Sequence, residues 1–335
     1  MSRFNSSLNL GLTLDQEPEN CQPSTDDQFA EFDSKDTVEG LVNALTNLGH
    51  KVKFIGNFNS VLKNLKLLKK LDLVFNLAEG LFGRNRESQV PLILEANEIP
   101  FVGSDSLTLA ISLDKVMAKK IFISEKIPTP NFLVINSITE IARLKKLKFP
   151  YFVKPRWEGS SKGINKNSLV FNRSQLINQV NFINQRYSQP ALVEKFIAGR
   201  EFTVPIIGSG VEAKAYRPMA IAINKNIRLN RQYYEFQYCR SDNLRYQYLE
   251  KPDYKLETKL QQLALKAYQS IDCLDFGRVD FRVDFRNRPY ILEINPLPAL
   301  NQLDAFGLLA KSLKLSYSQV INLILQSALK RYHLV

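Results

Sequence analysis

The chain has 335 residues, 44% of them hydrophobic and 23% charged, which suits two or three domains with sizeable cores and excludes a mainly disordered protein. Two histidines and three widely separated cysteines, Cys21, Cys239 and Cys273, exclude a His-rich zinc site, a CxxC metal site and a disulfide framework. The net charge of +12 asks for an anionic partner; the lysine clusters at 63–70 and 143–148 interleave Leu at helical spacing, so they read as solvated helix faces, and a small anion such as a nucleotide fits better than nucleic acid.

The start of the chain, residues 1–14, reads as a first strand, not a signal peptide, and no apolar run approaches the roughly 18–20 residues of a membrane span, so a cytoplasmic protein without membrane attachment is expected. Residues 15–36 are polar and acidic, a loop leading into a helix capped by Ser34 and ended by Gly49. A strand at 52–55 follows. The near-continuous apolar run at 71–77 reads as a buried parallel strand. This alternation predicts an α/β domain ending near Gly103. A helix is predicted over 106–120, with a break at 126–130. Strands at 149–155 and 191–197 enclose a Gly-containing loop and a helix. Beyond 197 the chain is richer in strands, and it closes with a helix over 318–329. His50, in a helix-to-strand turn, and His333, near the end, read as structural or exposed.

Three segments carry chemistry. Residues 278–284 alternate polar and apolar as a half-buried strand, and 289–295 form its partner. A two-residue turn at Arg286-Asn287 places Asp280 opposite Glu293 and Arg278 opposite Asn295. Facing carboxylates repel, so a positive charge belongs between them. With Asn295 on the same face, the oxygen donors suit Mg2+. The competing reading is two solvated carboxylates neutralised by Arg278 and Arg282. In the second segment, 154–163, a strand delivers Lys154 to a loop whose N–H groups could cradle phosphate, though an ordinary turn fits equally well. In the third, 194–201, a strand end could receive adenine through its backbone and ribose through Glu201.

Together these segments resemble the ATP-grasp superfamily, and most closely the D-alanine–D-alanine ligases, from about Leu73 to the C-terminus. The matching pieces, in order, are Ile99-Pro100-Phe101-Val102-Gly103-Ser104, Leu113-Asp114-Lys115, Val153-Lys154-Pro155 with Glu158-Gly159-Ser160-Ser161 and Gly163, Val193-Glu194-Lys195 with Glu201-Phe202-Thr203-Val204, Gly277-Arg278-Val279-Asp280, and Leu292-Glu293-Ile294-Asn295 with Pro298.

The resemblance implies an α/β, three-domain ATP-grasp architecture. Residues 1–104 would form the N-terminal α/β domain, 105–196 the central subdomain with a phosphate lid loop, and 197–335 the C-terminal subdomain with the Mg2+ site. Lys115 and Lys154 would contact ATP phosphates, and Glu158 and Leu292 would join the ATP-binding set. Glu194, Lys195, Phe196 and Ile197 would form the adenine hinge, with Glu201 on the ribose. Ser160 and Ser161 would cover the phosphates, and Arg278 would steady the reacting centre. Asp280, Glu293 and Asn295 would hold two Mg2+ ions, with Mn2+ as a possible substitute. The implied reaction joins a small carboxylate to an amine through an acyl phosphate. The implied assembly is a homodimer.

Several positions depart from the ligases. The glycine-rich N-terminal motif is replaced by the acidic loop from Asp15. Glu79-Gly80 stands where the ligases have His-Gly, and Gln237-Tyr238 where they have Lys-Tyr. Ala299 replaces the Gly after the metal-site Pro. Asp304 aligns with the Ser that helps hold the second substrate's carboxylate, which an ionised Asp would repel. Glu79, Tyr238, Ala299 and Asp304 are therefore the candidate substrate residues. The leading expectation is an ATP-dependent carboxylate–amine ligase, on D-alanine or on other substrates in specialised metabolism. The competing class is a nucleotide-binding pseudoenzyme.

Overall fold

The computed structural model describes residues 7–18, 27–144, 146–236 and 243–334. Gln237, Tyr238, Cys21 and Cys239 lie outside the described residues. Three sheets organise the chain. The first is parallel, with Asn9–Leu14 between Lys51–Phe54 and Leu73–Leu77, and Phe101–Val102 at its edge. Every residue of Leu73–Leu77 is buried, as the apolar run predicts. Its leading helix, Lys35–Asn47, starts where expected: the Ser34 hydroxyl accepts from the Thr37 N–H at 3.2 Å.

The second sheet is antiparallel, in the order Phe132–Ile135, Ala191–Lys195, Tyr151–Pro155, Leu169–Val170. The third runs Leu244–Gln247, Met219–Ile223, Gly199–Ile207, Phe276–Asp284, Pro289–Asn295, with Lys214–Ala215 paired to one side of Gly199–Ile207. Along Phe276–Asp284 the residues Val279, Phe281 and Val283 are fully buried in a core shared with Ile291 and Ile294. Each such side chain contributes about 1.5–3 kcal/mol of burial. The alternate residues, Arg278, Asp280 and Arg282, face a cleft between the sheets.

Two predicted helices are corrected. The helix over 106–120 is two helices, Ser106–Leu113 and Lys115–Ser124. Asp114 interrupts it: its carboxylate caps the second helix at Val116 and Met117 N–H, and takes a bidentate Arg156 at 2.7 Å. The 143–148 cluster shows no helix among its described residues, yet Leu144 and Leu147 still pack against the core of the second sheet. The 63–70 cluster does contribute helical turns, Phe58–Lys63 and Leu65–Leu68, that bury Val61 and Leu68.

The expected boundaries at 104/105 and 196/197 separate the sheets but not the cores. Ala118 and Phe122 lie in the core of the third sheet. The closing helix, Tyr317–Arg331, lies in the core of the first, with Val320, Ile321, Ile324 and Leu325 beside Leu10, Leu12 and Leu14. Among the described residues, no helix is long and apolar enough to cross a membrane.

Candidate active site

A cavity of about 370 Å³ lies between the three sheets. Its floor is the hairpin of Phe276–Asp284 and Pro289–Asn295. Asp280 faces Glu293 and Arg278 faces Asn295, as the sequence reading requires. The path to that register differs. Asp284 N–H donates to the Arg288 carbonyl, so the turn spans Phe285, Arg286 and Asn287, with Asn287 left-handed at φ 56°. A β-bulge between Asp280 and Phe281 then absorbs the extra residue, since Phe281 faces Ile291. Leu292 is that residue. Both Leu292 and Glu293 line the cavity.

The third strand of this floor is Gly199–Ile207. It sets Thr203 against Asp280 and Glu201 against Arg282. Asp280 accepts from Thr203 Oγ1 at 2.6 Å and from Arg278 at 2.9 and 3.0 Å. Arg282 donates to Glu201 at 3.0 Å and to the Ile197 carbonyl at 3.0 Å. The competing reading of the hairpin is thus half right: Arg278 neutralises Asp280, while Arg282 serves Glu201.

Glu293 faces two lysines, Lys115 Nζ at 3.4 Å and Lys154 Nζ at 3.7 Å. Burial would raise its carboxyl, but Lys115, Lys154 and Arg278 hold it down to about 2. Asp280, Glu293 and Asn295 present oxygen donors already arranged around cationic charge, and this donor set fits a divalent ion. Behind them Glu194 forms ion pairs with Lys119 at 2.6 Å and Lys154 at 3.2 Å. Lys119 is 1% exposed. Burial pulls its ammonium below the usual lysine range, against the pull of Glu194.

After the strand Ala191–Lys195, Phe196 lies 6.3 Å from Phe152, ring to ring, with the Arg282 guanidinium 5.1 Å over it. Lys195 Nζ donates to the Lys148 carbonyl at 2.8 Å and lies 5.6 Å from the Tyr151 ring centre. Ser160 and Ser161 both adopt left-handed backbone, φ 42° and 58°, an uncommon pair that stores strain at the cavity wall. Glu158 does not line the cavity. Its carboxylate takes Lys162 at 2.8 Å and Gln189 at 2.7 Å, and its carbonyl takes Lys115 Nζ.

The acidic N-terminal segment closes the cavity from the other side. Glu31, with its side chain 4% exposed, accepts from Arg86 at 2.6 Å and from the Gly159 N–H at 2.7 Å. Asp27 accepts from the Gly163 N–H at 3.0 Å and from Tyr187. Two N–H groups of the 154–163 loop are thereby held by carboxylates of a distant segment. Glu79 is brought in by the turn after Leu73–Leu77. There Gly80 has φ 70°, its N–H donates to Asp15 at 2.9 Å, and a Cβ would meet the Arg86 carbonyl at 2.8 Å. Burial, then Glu87 and Glu31, pushes the Glu79 carboxyl well up, and the two carboxyls of Glu79 and Glu87 share a hydrogen bond. Asp33, Ala299 and Asp304 line the same end, whereas Tyr238 lies outside the described residues.

The structure therefore gathers Lys115, Lys154, Ser160, Ser161, Glu194, Lys195, Phe196, Ile197, Glu201, Arg278, Asp280, Leu292, Glu293 and Asn295 around one cavity, together with Glu79, Ala299 and Asp304. Sequence reasoning missed Lys119, Glu31, Asp33, Arg86 and Glu87. For Lys119 a signal existed: it lies four residues after Lys115 on the helix face that carries Ala118 and Phe122.

Comparison with known proteins adds an independent line. Residues 121–326 match the sequence family described as D-ala D-ala ligase C-terminus. An uncharacterized protein of Sinorhizobium fredii, y4sG, is 33% identical over 88% of both chains. The D-alanine–D-alanine ligase of Bordetella avium is 29% identical over 81% of this chain and 83% of its own. Among solved structures, a D-alanine–D-alanine ligase from Bacillus anthracis complexed with ATP superposes with a TM-score of 0.72 at 22% identity, covering 97% and 98% of the two chains. The VanG D-Ala:D-Ser ligase of Enterococcus faecalis gives 0.75 at 19% identity, covering 96% and 100%. These superpositions establish the ATP-grasp fold, and with the family match they define an ATP-dependent ligase that forms an amide bond. The chain belongs to the D-alanine–D-alanine ligase family.

Proposed function

We propose that the cavity uses Mg2+ and ATP to activate a small carboxylic acid and transfers the acyl group to an amine. Asp280 opposite Glu293, ringed by Lys115, Lys154 and Arg278, carries this reading. The acid's carboxylate oxygen attacks the γ-phosphorus, and ADP leaves. The uncharged amine nitrogen then forms the C–N bond as the C–O bond to phosphate breaks. Phosphate leaves with that electron pair, and the amine proton passes to solvent.

Asp280, Glu293 and Asn295 would hold two divalent ions, Mg2+ or Mn2+, which supply charge neutralisation at the phosphates. Lys115 and Lys154 would turn from Glu293 to phosphate oxygens, and Ser160 and Ser161 would cover them. The 194–197 backbone would hold adenine beside Phe196, with Leu292 against it and Glu201 on the ribose. Arg278 would face the charge that builds at the acyl centre. The work is positioning and electrostatics, which needs no histidine. VanG is named a D-Ala:D-Ser ligase, which supports testing acceptors other than D-alanine.

The test is ADP and phosphate release from Mg·ATP, with D- and L-amino acids singly and in pairs, and product masses recorded. Amide formation with turnover is expected. Glu293→Gln should lower turnover on the order of a hundredfold or more, and full activity in that variant would overturn the reading.

A further inference from the structure

Carboxylates outnumber basic side chains nine to five on the cavity wall of a protein whose net charge is +12. Five of the nine have a lysine or arginine partner: Glu31 with Arg86, Glu194 with Lys119, Glu201 with Arg282, Asp280 with Arg278, and Glu293 with Lys115. Glu79 and Glu87 are joined to each other by a hydrogen bond. Asp33 and Asp304 remain. Among the described residues neither has an ion pair, and the Asp33 side chain has no hydrogen bond at all.

Asp304 is unusual in a second way. It occupies the N-cap of the helix Ala305–Leu313, where an Asp carboxylate ordinarily accepts a backbone N–H, and it makes no such bond. Its carboxylate takes the Asn301 side chain instead and lines the cavity. Asp33 and Asp304 repel one another across this end, and the Tyr317 hydroxyl lies within the field of both. Arg278 also acts on Asp304, but its guanidinium is committed to Asp280 through two hydrogen bonds.

We infer that Asp33 and Asp304 select the acceptor, and that the acceptor is an amine with a second, protonated nitrogen and no carboxylate: an α,ω-diamine. The inference rests on the ligase reading above and names the substrate class of that same site. Two unpaired carboxylates in one enclosed space call for a cation between them. The attacking nitrogen cannot be that cation, because it must be uncharged to bond the acyl carbon. A second nitrogen must supply the charge. An acceptor with its own carboxylate would add a third negative group to a place that has no free basic partner among the described residues. Asp33 and Asp304 thus act by anchoring the distal ammonium, leaving the other nitrogen to reach the acyl centre near Arg278.

The experiment is calorimetric titration of the full chain at pH 8 with Mg2+ and a non-hydrolysable ATP analogue present. The three probes are 1,3-diaminopropane, propylamine and β-alanine, which share a chain length and differ at one end. The diamine should bind at least tenfold more tightly than propylamine, and β-alanine more weakly than either. Asp33→Asn and Asp304→Asn should each reduce the diamine's preference to within about twofold of propylamine. Equal binding of diamine and propylamine, or tighter binding of β-alanine, would overturn the assignment. Nucleotide binding is titrated separately. Its absence would remove the ligase reading itself, whereas nucleotide binding without discrimination among the amines would remove the diamine assignment alone.

Discussion

Lys119 Nζ stands 2.6 Å from the Glu194 carboxylate, with both side chains almost wholly enclosed. Lys154 reaches the other oxygen of the same carboxylate at 3.2 Å. Glu194 thus sits between two ammonium groups, one facing the cavity and one behind it. Lys119 also holds Thr129 at 2.7 Å, which ties the Lys115–Ser124 helix to the Pro128-Thr129-Pro130 segment.

Lys119→Met leaves a buried carboxylate with one partner where it had two. Loss of one member of a buried pair costs about 3–5 kcal/mol, and the remaining lysine brings the expected value to about 3. Urea denaturation monitored by circular dichroism measures it. A loss below about 1 kcal/mol would mean that Lys154 alone suffices.

The bulge at Leu292 puts two consecutive side chains on the cavity face. Leu292→Gly removes the apolar one while the Asp280 and Glu293 pairing stays. The expected outcome is a KM for ATP raised about tenfold or less, the scale of one lost aliphatic contact, with kcat changed little. Steady-state kinetics separates the two constants. A fall in kcat alone would place Leu292 in the reacting centre and not in nucleotide binding.

Glu31→Gln keeps a group able to accept the Gly159 N–H but removes the charge between Arg86 and Lys162, which leaves Glu158 as their carboxylate partner. The expected cost is about 2–4 kcal/mol. The 157–163 loop should become easier to cleave in limited proteolysis, and ATP should lose its protection of that loop. Wild-type cleavage kinetics would show that the loop does not depend on this latch.

Burial, reinforced by Asp304 and Asp15, pushes the Asp33 carboxyl up to about 7, above its ordinary value of 3.8. Between those two values the folded chain holds a proton that the unfolded chain has lost, so stability falls as pH rises through that window. Asp33→Asn should therefore gain about 2 kcal/mol at pH 8 and nothing near pH 4. Thermal melts at the two pH values are the check. An equal change at both would show that the effect is packing and not charge.

The sheets and the hairpin floor were legible because they rest on period-two patterning and on an unbroken apolar run, both local signals. The Asp280–Glu293 pairing was read correctly by a route that was not: the turn is one residue longer than supposed, and the bulge at Leu292 cancels the difference. Nothing in the local sequence fixes a bulge, which is set by packing across three strands. Lys119 hid within an amphipathic helix as one more lysine, although its spacing placed it on the apolar face. Glu31 and Asp33 could not be read at all as site residues. Their roles come from contacts more than a hundred residues away, at Gly159 and Asp304, and an acidic stretch ahead of a helix gives no hint of those partners.

The closing helix has a consequence for how the protein is made. Val320, Ile321, Ile324, Leu325, Ala328 and Leu329 fill the core beneath Leu10, Leu12 and Leu14. Domains commonly fold as they leave the ribosome, first segment first. Here the sheet around Asn9–Leu14 emerges with one side of its core missing until the chain has reached Tyr317–Arg331. The N-terminal strands must therefore spend synthesis with apolar surface uncovered. Deletion of the helix Tyr317–Arg331 would strand the nascent protein in that state, a natural substrate for chaperones and proteases.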